Sequence, residues 1–361
     1  MLFNFDPAPV GVLLAQLGTP DAPTARALRP YLRQFLSDMR VIDYSPFAWQ
    51  PILQSIILTF RPRRSARLYK RIWMEEGSPL LVYSRLQVEG LQARLGQGFR
   101  VILGMRYGDP SIESAMRQLE DEGINRIVVL PMFPQFSSTT TASIYDAVYT
   151  AAAGRRCPLF HQRKRSVPSL HFVPPYYAHP GYIEALAERV RESLAGQPMP
   201  DKLILSFHGI PTRYERTGDP YGAQCRATAE ALAQALGLRE DQWIATFQSR
   251  FGPEPWLTPA TDETLERLAQ AGTARVAILA PGFVADCLET IDELGHEGRN
   301  TWIEAGGDPE GFQFIPCLND QALWLDALAD ITRREAQSWL PLSYAEPADI
   351  LERAPQLMNS L

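Results

Sequence analysis

Lys202–Pro211 reads KLILSFHGIP. Three aliphatic residues, a serine and a phenylalanine run into His208-Gly209, and Pro211 stops the run. A short apolar run closed by Gly and Pro predicts a buried strand ending in a tight turn. His208 then falls just past the strand's C-terminal end, where open α/β sheets place their ligands. A single histidine is compatible with a purely structural role, so its meaning depends on the residues around it.

Outward from this stretch, the chain repeats itself. VLLAQLGTP (Val12–Pro20) occupies in the first half the place of KLILSFHGIP in the second. Gly104–Pro110, with Arg106-Tyr107-Gly108, matches Ile244–Gln248 and the following Ser249-Arg250-Phe251-Gly252-Pro253. Val128–Phe133 matches Val276–Phe283, each after a predicted helix that ends at a glycine, Gly123 or Gly272. Strands alternating with helices imply parallel pairing and an α/β sheet. Two such halves facing each other enclose a cleft, the default ligand site. The basic, irregular stretch Gly154–Ser166 is the predicted connector, which gives halves of 1–160 and 161–335 and a tail of 336–361. A last strand is predicted at Gln313–Ile315 and a terminal helix near Gln321–Glu335.

Composition narrows the function. With 361 residues and 45% apolar content the chain can build a large core, and a net charge of −6 argues against a general nucleic-acid binder. Cys157, Cys225, Cys287 and Cys317 form no CxxC pair, so neither a zinc site nor a disulfide framework is expected, as suits a reducing cytoplasm. MLFNFDPAPVGVLL has no basic n-region and predicts no signal peptide, and no apolar run reaches the ~20 residues of a membrane span. Neither G-x-G-x-x-G after the first strand, nor a P-loop, nor G-x-S-x-G occurs, which excludes the common nucleotide and serine-hydrolase sites.

Two stretches carry unusual chemistry. Phe47–Phe60 (FAWQPILQSIILTF) has no charge, and Arg61, Arg63, Arg64, Arg67, Lys70 and Arg71 follow it closely. It reads either as a buried helix before a solvated basic face, or as an apolar lip touching a membrane or flat ligand, with cations for headgroups or carboxylates. In APGFVADCLETIDEL (Ala280–Leu294), Asp286, Glu289 and Glu293 stand three and four apart, which on an α-helix puts all three carboxylates on one face. Acids so close repel unless they share a proton or a cation. With His208 they suit a divalent metal of borderline softness, or proton transfer near neutral pH.

SFHGIP, FQSRFGPEPWLTP (Phe247–Pro259) and PGFVADCLETIDELG (Pro281–Gly295), with LLAQLGTP, GSP and GMRYGDPSI in the first half, resemble the ferrochelatases from about Val10 to Asp330, every motif in family order. The resemblance implies two Rossmann-like, doubly wound parallel-sheet domains facing a central cleft, a chelatase-like fold. It implies insertion of Fe²⁺ into protoporphyrin IX, with iron as substrate and no organic cofactor. By the same resemblance His208 and Glu289 are the catalytic pair, Asp286 and Glu293 extend an acidic path for the metal, and Leu17, Tyr69, Arg106, Tyr107, Trp256 and Phe283 flank the porphyrin. Arg106 is the first candidate for the propionates, and Phe47–Phe60 is the lip at a membrane surface. Cys287 departs from members that carry histidine there. Because no cysteine follows Cys317, no C-terminal [2Fe-2S] cluster is expected. Coproporphyrin insertion, a cobalt-type chelatase, or a non-catalytic porphyrin carrier remain as alternatives.

Overall fold

Strands β1 (Val10–Gly18), β2 (Phe99–Tyr107), β3 (Arg126–Pro131) and β4 (Ser169–Phe172) pair in the order β2-β1-β3-β4. Strands β5 (Lys202–His208), β6 (Trp243–Gln248), β7 (Val276–Leu279) and β8 (Phe312–Phe314) repeat that order as β6-β5-β7-β8. All pairings are parallel. The computed structural model describes residues 8–154, 164–250 and 252–340. Cys157, Phe251, the middle of the Gly154–Ser166 connector and the tail from residue 341 lie outside the described residues.

The predicted repeat is thus the symmetry of the two sheets. β1 and β5 are central and flanked on both sides, which is why both read as unbroken apolar runs rather than as alternating ones. Alternate residues still part to opposite faces. Val12, Leu14, Leu203 and Leu205 join one core that runs from sheet to sheet. Leu13 and Val129 pack under the helices Ile112–Asp121 and Thr141–Ala153, while Ile204 and Ile278 pack with Trp302. Strand β4 escapes the sequence reading because it is a half-exposed edge of four residues with His171 inside it, between Pro168 and Pro174. It is the counterpart of β8.

Further ties cross between the sheets. The terminal helix Ala322–Ala336 packs on the helices Pro79–Leu95 and Pro180–Ser193. The Gln87 amide donates to the carbonyls of Val284 (2.9 Å) and Asn319 (2.8 Å). Buried Asp219 accepts from the Ser137 and Ser138 hydroxyls and the Ser138 N–H, which accounts for the Ser/Thr cluster after β3. Both sheets therefore present their strand C-termini to one place. In this strand order the switch points, where α/β sheets bind ligands, lie between β1 and β3 and between β5 and β7.

The uncharged Phe47–Phe60 stretch belongs to a continuous helical run: helix Pro46–Ile52, a π-helical segment Leu53–Ile57, and helix Leu58–Ile72. Within the apolar part Leu53 and Leu58 are buried and Trp49 and Ile57 pack partly buried against the same core, while Phe47, Ile52, Ile56 and Phe60 are 94%, 44%, 54% and 70% exposed. The apolar residues of this segment thus largely face solvent. Among the described residues no helix is long and apolar enough to cross a membrane.

Candidate active site

A cleft opens where the two sheets meet. Gln16–Thr19 at the end of β1, Met132 and Phe133 after β3, and Gly282–Ala285 after β7 form its floor. Tyr31, Tyr69 and Ile72 wall one side, and Pro79 and Leu80 another. Gly18 shapes the turn: its φ is +116°, and a Cβ there would stand 1.7 Å from the Tyr107 carbonyl oxygen. Among the residues lining this mainly apolar space, Glu289 brings the carboxylate. Burial pushes the Tyr31 and Tyr69 hydroxyls far above the ordinary tyrosine value, and the Glu289 charge adds to it, so both phenols stay neutral donors.

Glu289 lies in a π-helical segment, Leu288–Glu297, not in the α-helix that the sequence predicts. The wider i→i+5 turn brings Glu289 and Glu293, four apart, close to one line. The Gln248 side-chain amide holds both: its Nε2 donates to the Glu289 carbonyl (2.8 Å) and to Glu293 Oε2 (3.2 Å). Its orientation is fixed from behind, since Ser206 Oγ donates to Gln248 Oε1 at 2.8 Å. The Ser249 hydroxyl also donates to Glu293 Oε2, from a residue at φ +62°, a conformation uncommon outside glycine. Burial and the Glu289 charge raise the Glu293 pKa, against the pull of Ser249, His208 and Gln248. Glu293 is therefore disposed to hold a proton beside an ionisable neighbour. Beyond Glu293 a wider depression opens, bordered by Glu254, Asp262 and Glu297.

His208 is half-buried at the end of β5, and its Nδ1 lies 2.7 Å from the Gly209 carbonyl oxygen. A carbonyl only accepts, so Nδ1 carries the hydrogen and the neutral ring keeps its lone pair on Nε2. Gly209 allows the close packing beside it: a Cβ there would meet the Gln248 carbonyl oxygen at 2.9 Å and Trp256 Cε3 at 3.1 Å. The arrangement can take a proton at His208 and carry charge along Glu289 and Glu293 toward the outer depression.

The ferrochelatase family model matches residues 9–336. The chain belongs to the ferrochelatase family. It is 49% identical over 339 residues to ferrochelatase 1 of Shewanella oneidensis, covering 92% of this chain and 98% of that relative. It is likewise 49% identical to the ferrochelatase of Klebsiella pneumoniae, covering 89% and 97% respectively. Among solved structures, SirB from Bacillus subtilis with Fe³⁺ superposes with a TM-score of 0.54 over 92% of this chain and 97% of that one; at 12% identity this likeness concerns the fold.

Ferrochelatase-type residues read from the sequence fall into three groups. Leu17, Tyr69, Phe283 and Glu289 line the cleft, with Glu293 just behind. His208 stands near Glu293 but is not among the residues that line the cleft, and Trp256 lies over Gly209 at the outer depression. Asp286, Arg106 and Tyr107 are placed otherwise. Asp286 precedes the π-helical segment and is buried, its oxygens taken by Asn319 Nδ2 (2.7 Å), Thr290 Oγ1 (2.9 Å) and the Cys317 N–H (3.2 Å). It anchors the loop and does not share a helical face with Glu289 and Glu293. Among the described residues no three His, Cys, Asp or Glu side chains converge as a metal-holding group, so His208, Asp286, Glu289 and Glu293 do not form one ligand set.

Arg106 points to Asp38 Oδ2 (2.5 Å) and to the Ser143 hydroxyl (2.6 Å), and the Tyr107 hydroxyl joins the same carboxylate at 2.7 Å. Neither residue lines the cleft. The sequence reading also missed Tyr31, Gln248 and Ser249. Gln248-Ser249 lies within the FQSRFG motif, but only the packing of β6 against the π-helical segment shows what those two side chains hold. Arg61, on the exposed side of helix Leu58–Ile72, is close enough for the charges of Glu289 and Glu293 to act on it.

Proposed function

We propose that this chain inserts Fe²⁺ into protoporphyrin IX, using His208 Nε2 to take protons from the pyrrole nitrogens and the Glu289–Glu293 pair to carry them off. The observation that carries this reading is a carboxylate set into an apolar, tyrosine-walled cleft and backed by a second, raised-pKa carboxylate. A planar ring needs apolar walls, and its two inner N–H protons must leave as the metal enters. Rigid walls such as Tyr69, Leu17 and Phe283 can also press the ring out of plane, at a strain of about 1–5 kcal/mol. Iron is the substrate, and the reaction calls for no organic cofactor. With Arg106 committed to Asp38, Arg61, within electrostatic reach of Glu289, is the better-placed partner for a propionate.

The exposed Phe47, Ile52, Ile56 and Phe60, beside exposed Arg63, Arg64 and Arg67, suit peripheral contact with an anionic membrane, from which a poorly soluble ring could reach the cleft. The test is anaerobic Fe²⁺ insertion into protoporphyrin, followed by absorbance, for the wild type and His208→Ala. General-base loss predicts a fall in turnover of about 10²–10⁴-fold with the ring still bound. Full activity in the variant would move proton abstraction off His208. A wild type active only on coproporphyrin or with Co²⁺ would change the substrate, and ring binding without any turnover would make the protein a carrier.

A further inference from the structure

Asp292 sits one residue from Glu293 and three from Glu289 in the π-helical segment. Its side chain is 1% exposed, and one oxygen, Oδ1, has no hydrogen-bond partner. The other accepts from Arg71 Nη2 at 2.9 Å, and Arg71 also reaches toward Glu297 at 3.7 Å. Arg71 belongs to the last turn of helix Leu58–Ile72, the helix whose Tyr69 and Ile72 wall the cleft. Around the ion pair lies an apolar seam, where Leu288 and Ile291 pack against the cluster of Leu58, Tyr69 and Ile72.

Stability alone does not explain an acid here. A buried carboxylate with one oxygen unpaired is costly, and an apolar side chain in such a place is commonly neutral or stabilising. What the pair does supply is a single preferred register. Arg71 is itself 47% exposed, so the pair is buried on the Asp292 side only. If the π-helical segment turned or the wall helix slid away, Asp292 would lose the one partner its carboxylate has among the described residues, which favours the observed alignment.

We infer that Arg71, acting through Asp292, is a positioning residue: the ion pair fixes the rotation of the π-helical segment so that Glu289 faces the cleft and Glu293 stays on Gln248 and Ser249. The inference rests on the insertion reaction proposed above. It is tested in the full-length protein with Arg71→Ala, Arg71→Lys and Asp292→Leu, measuring kcat, porphyrin Kd by fluorescence, and Tm. Positioning predicts that kcat falls about tenfold or more in Arg71→Ala while porphyrin Kd stays within about twofold, and that Arg71→Lys restores most of the loss. Asp292→Leu separates positioning from folding, because it should keep or raise Tm and still lose turnover. A double variant no worse than either single one would show that both act through one contact. Wild-type turnover in Arg71→Ala and Asp292→Leu alike, with the parent active, would overturn the inference and leave the proposed function standing. A parent that inserts no metal would remove both.

Discussion

Replacing Asp38 with Asn tests whether Arg106 is a structural cation or a reader of the porphyrin's carboxylates. Asp38 Oδ2 accepts from Arg106, Tyr107 and Ser143, and its Oδ1 takes the Arg40 N–H at 2.8 Å. The side chains of Asp38 and Arg106 are 8% and 23% exposed. Removing one partner of a buried ion pair costs about 3–5 kcal/mol, and since water reaches part of Arg106, about 2–3 kcal/mol is expected here. A 361-residue chain unfolding as a unit gains about 0.75 kcal/mol/K of entropy, so the loss is a fall in Tm of about 3–4 °C. Burial by itself would raise the Asp38 carboxyl, but the bonds from Ser143, Arg40 and Tyr107 and the Arg106 charge outweigh it and hold its pKa below the ordinary 3.8. The stabilisation is then complete above about pH 4, the unfolded value, and fades as pH falls through the lower folded value. Thermal unfolding of both proteins across pH, with KM for the ring at neutral pH, measures each part. A lower Tm with unchanged KM supports the structural role. Unchanged Tm with a KM raised tenfold would refute the reasoning and return Arg106 to the substrate.

Two other perturbations probe the site and the lip. Gly209→Ala forces a Cβ against the Gln248 carbonyl and Trp256; overpacking of about 1–3 kcal/mol should lower Tm by a few degrees and slow insertion by displacing Gln248. Wild-type melting and turnover would show that this packing is not needed. Phe47→Ser with Phe60→Ser removes two side chains that are 94% and 70% exposed. Tm should hold within about 1 °C while affinity for anionic vesicles, read by co-sedimentation, drops at least about tenfold, as loss of about 1.5–3 kcal/mol per buried Phe implies. Equal vesicle binding would return the exposed apolar segment to some other use.

Local patterns carried the fold because they repeat. The apolar runs at Val10–Leu14 and Leu203–Leu205 read as strands, and the shared order of strand and turn gave two equivalent halves facing a cleft. Edge strand β4 stayed hidden, since four half-exposed residues around a histidine have no pattern of their own. The motifs likewise named Leu17, Tyr69, Phe283, His208 and Glu289. Spacing could not say how the segment from Asp286 to Glu297 would wind. Its α-helical reading put three acids in a row, whereas the chain turns π-helical only after Asp286 has been captured by Asn319, Thr290 and Cys317.

The sequence alone therefore determined the α/β class and the internal repeat, because these depend on periodicity and turn chemistry within a few residues, while its resemblance to the ferrochelatases named the residues of a metal-insertion site. Tertiary structure decided which charges serve the cleft. Arg106 and Asp286 were claimed by Asp38 and Asn319, residues 68 and 33 positions away, and Gln248 and Ser249 came to hold Glu293 from 45 and 44 positions away. A charged side chain takes the partner that packing brings nearest, and that partner is set by how the sheets meet.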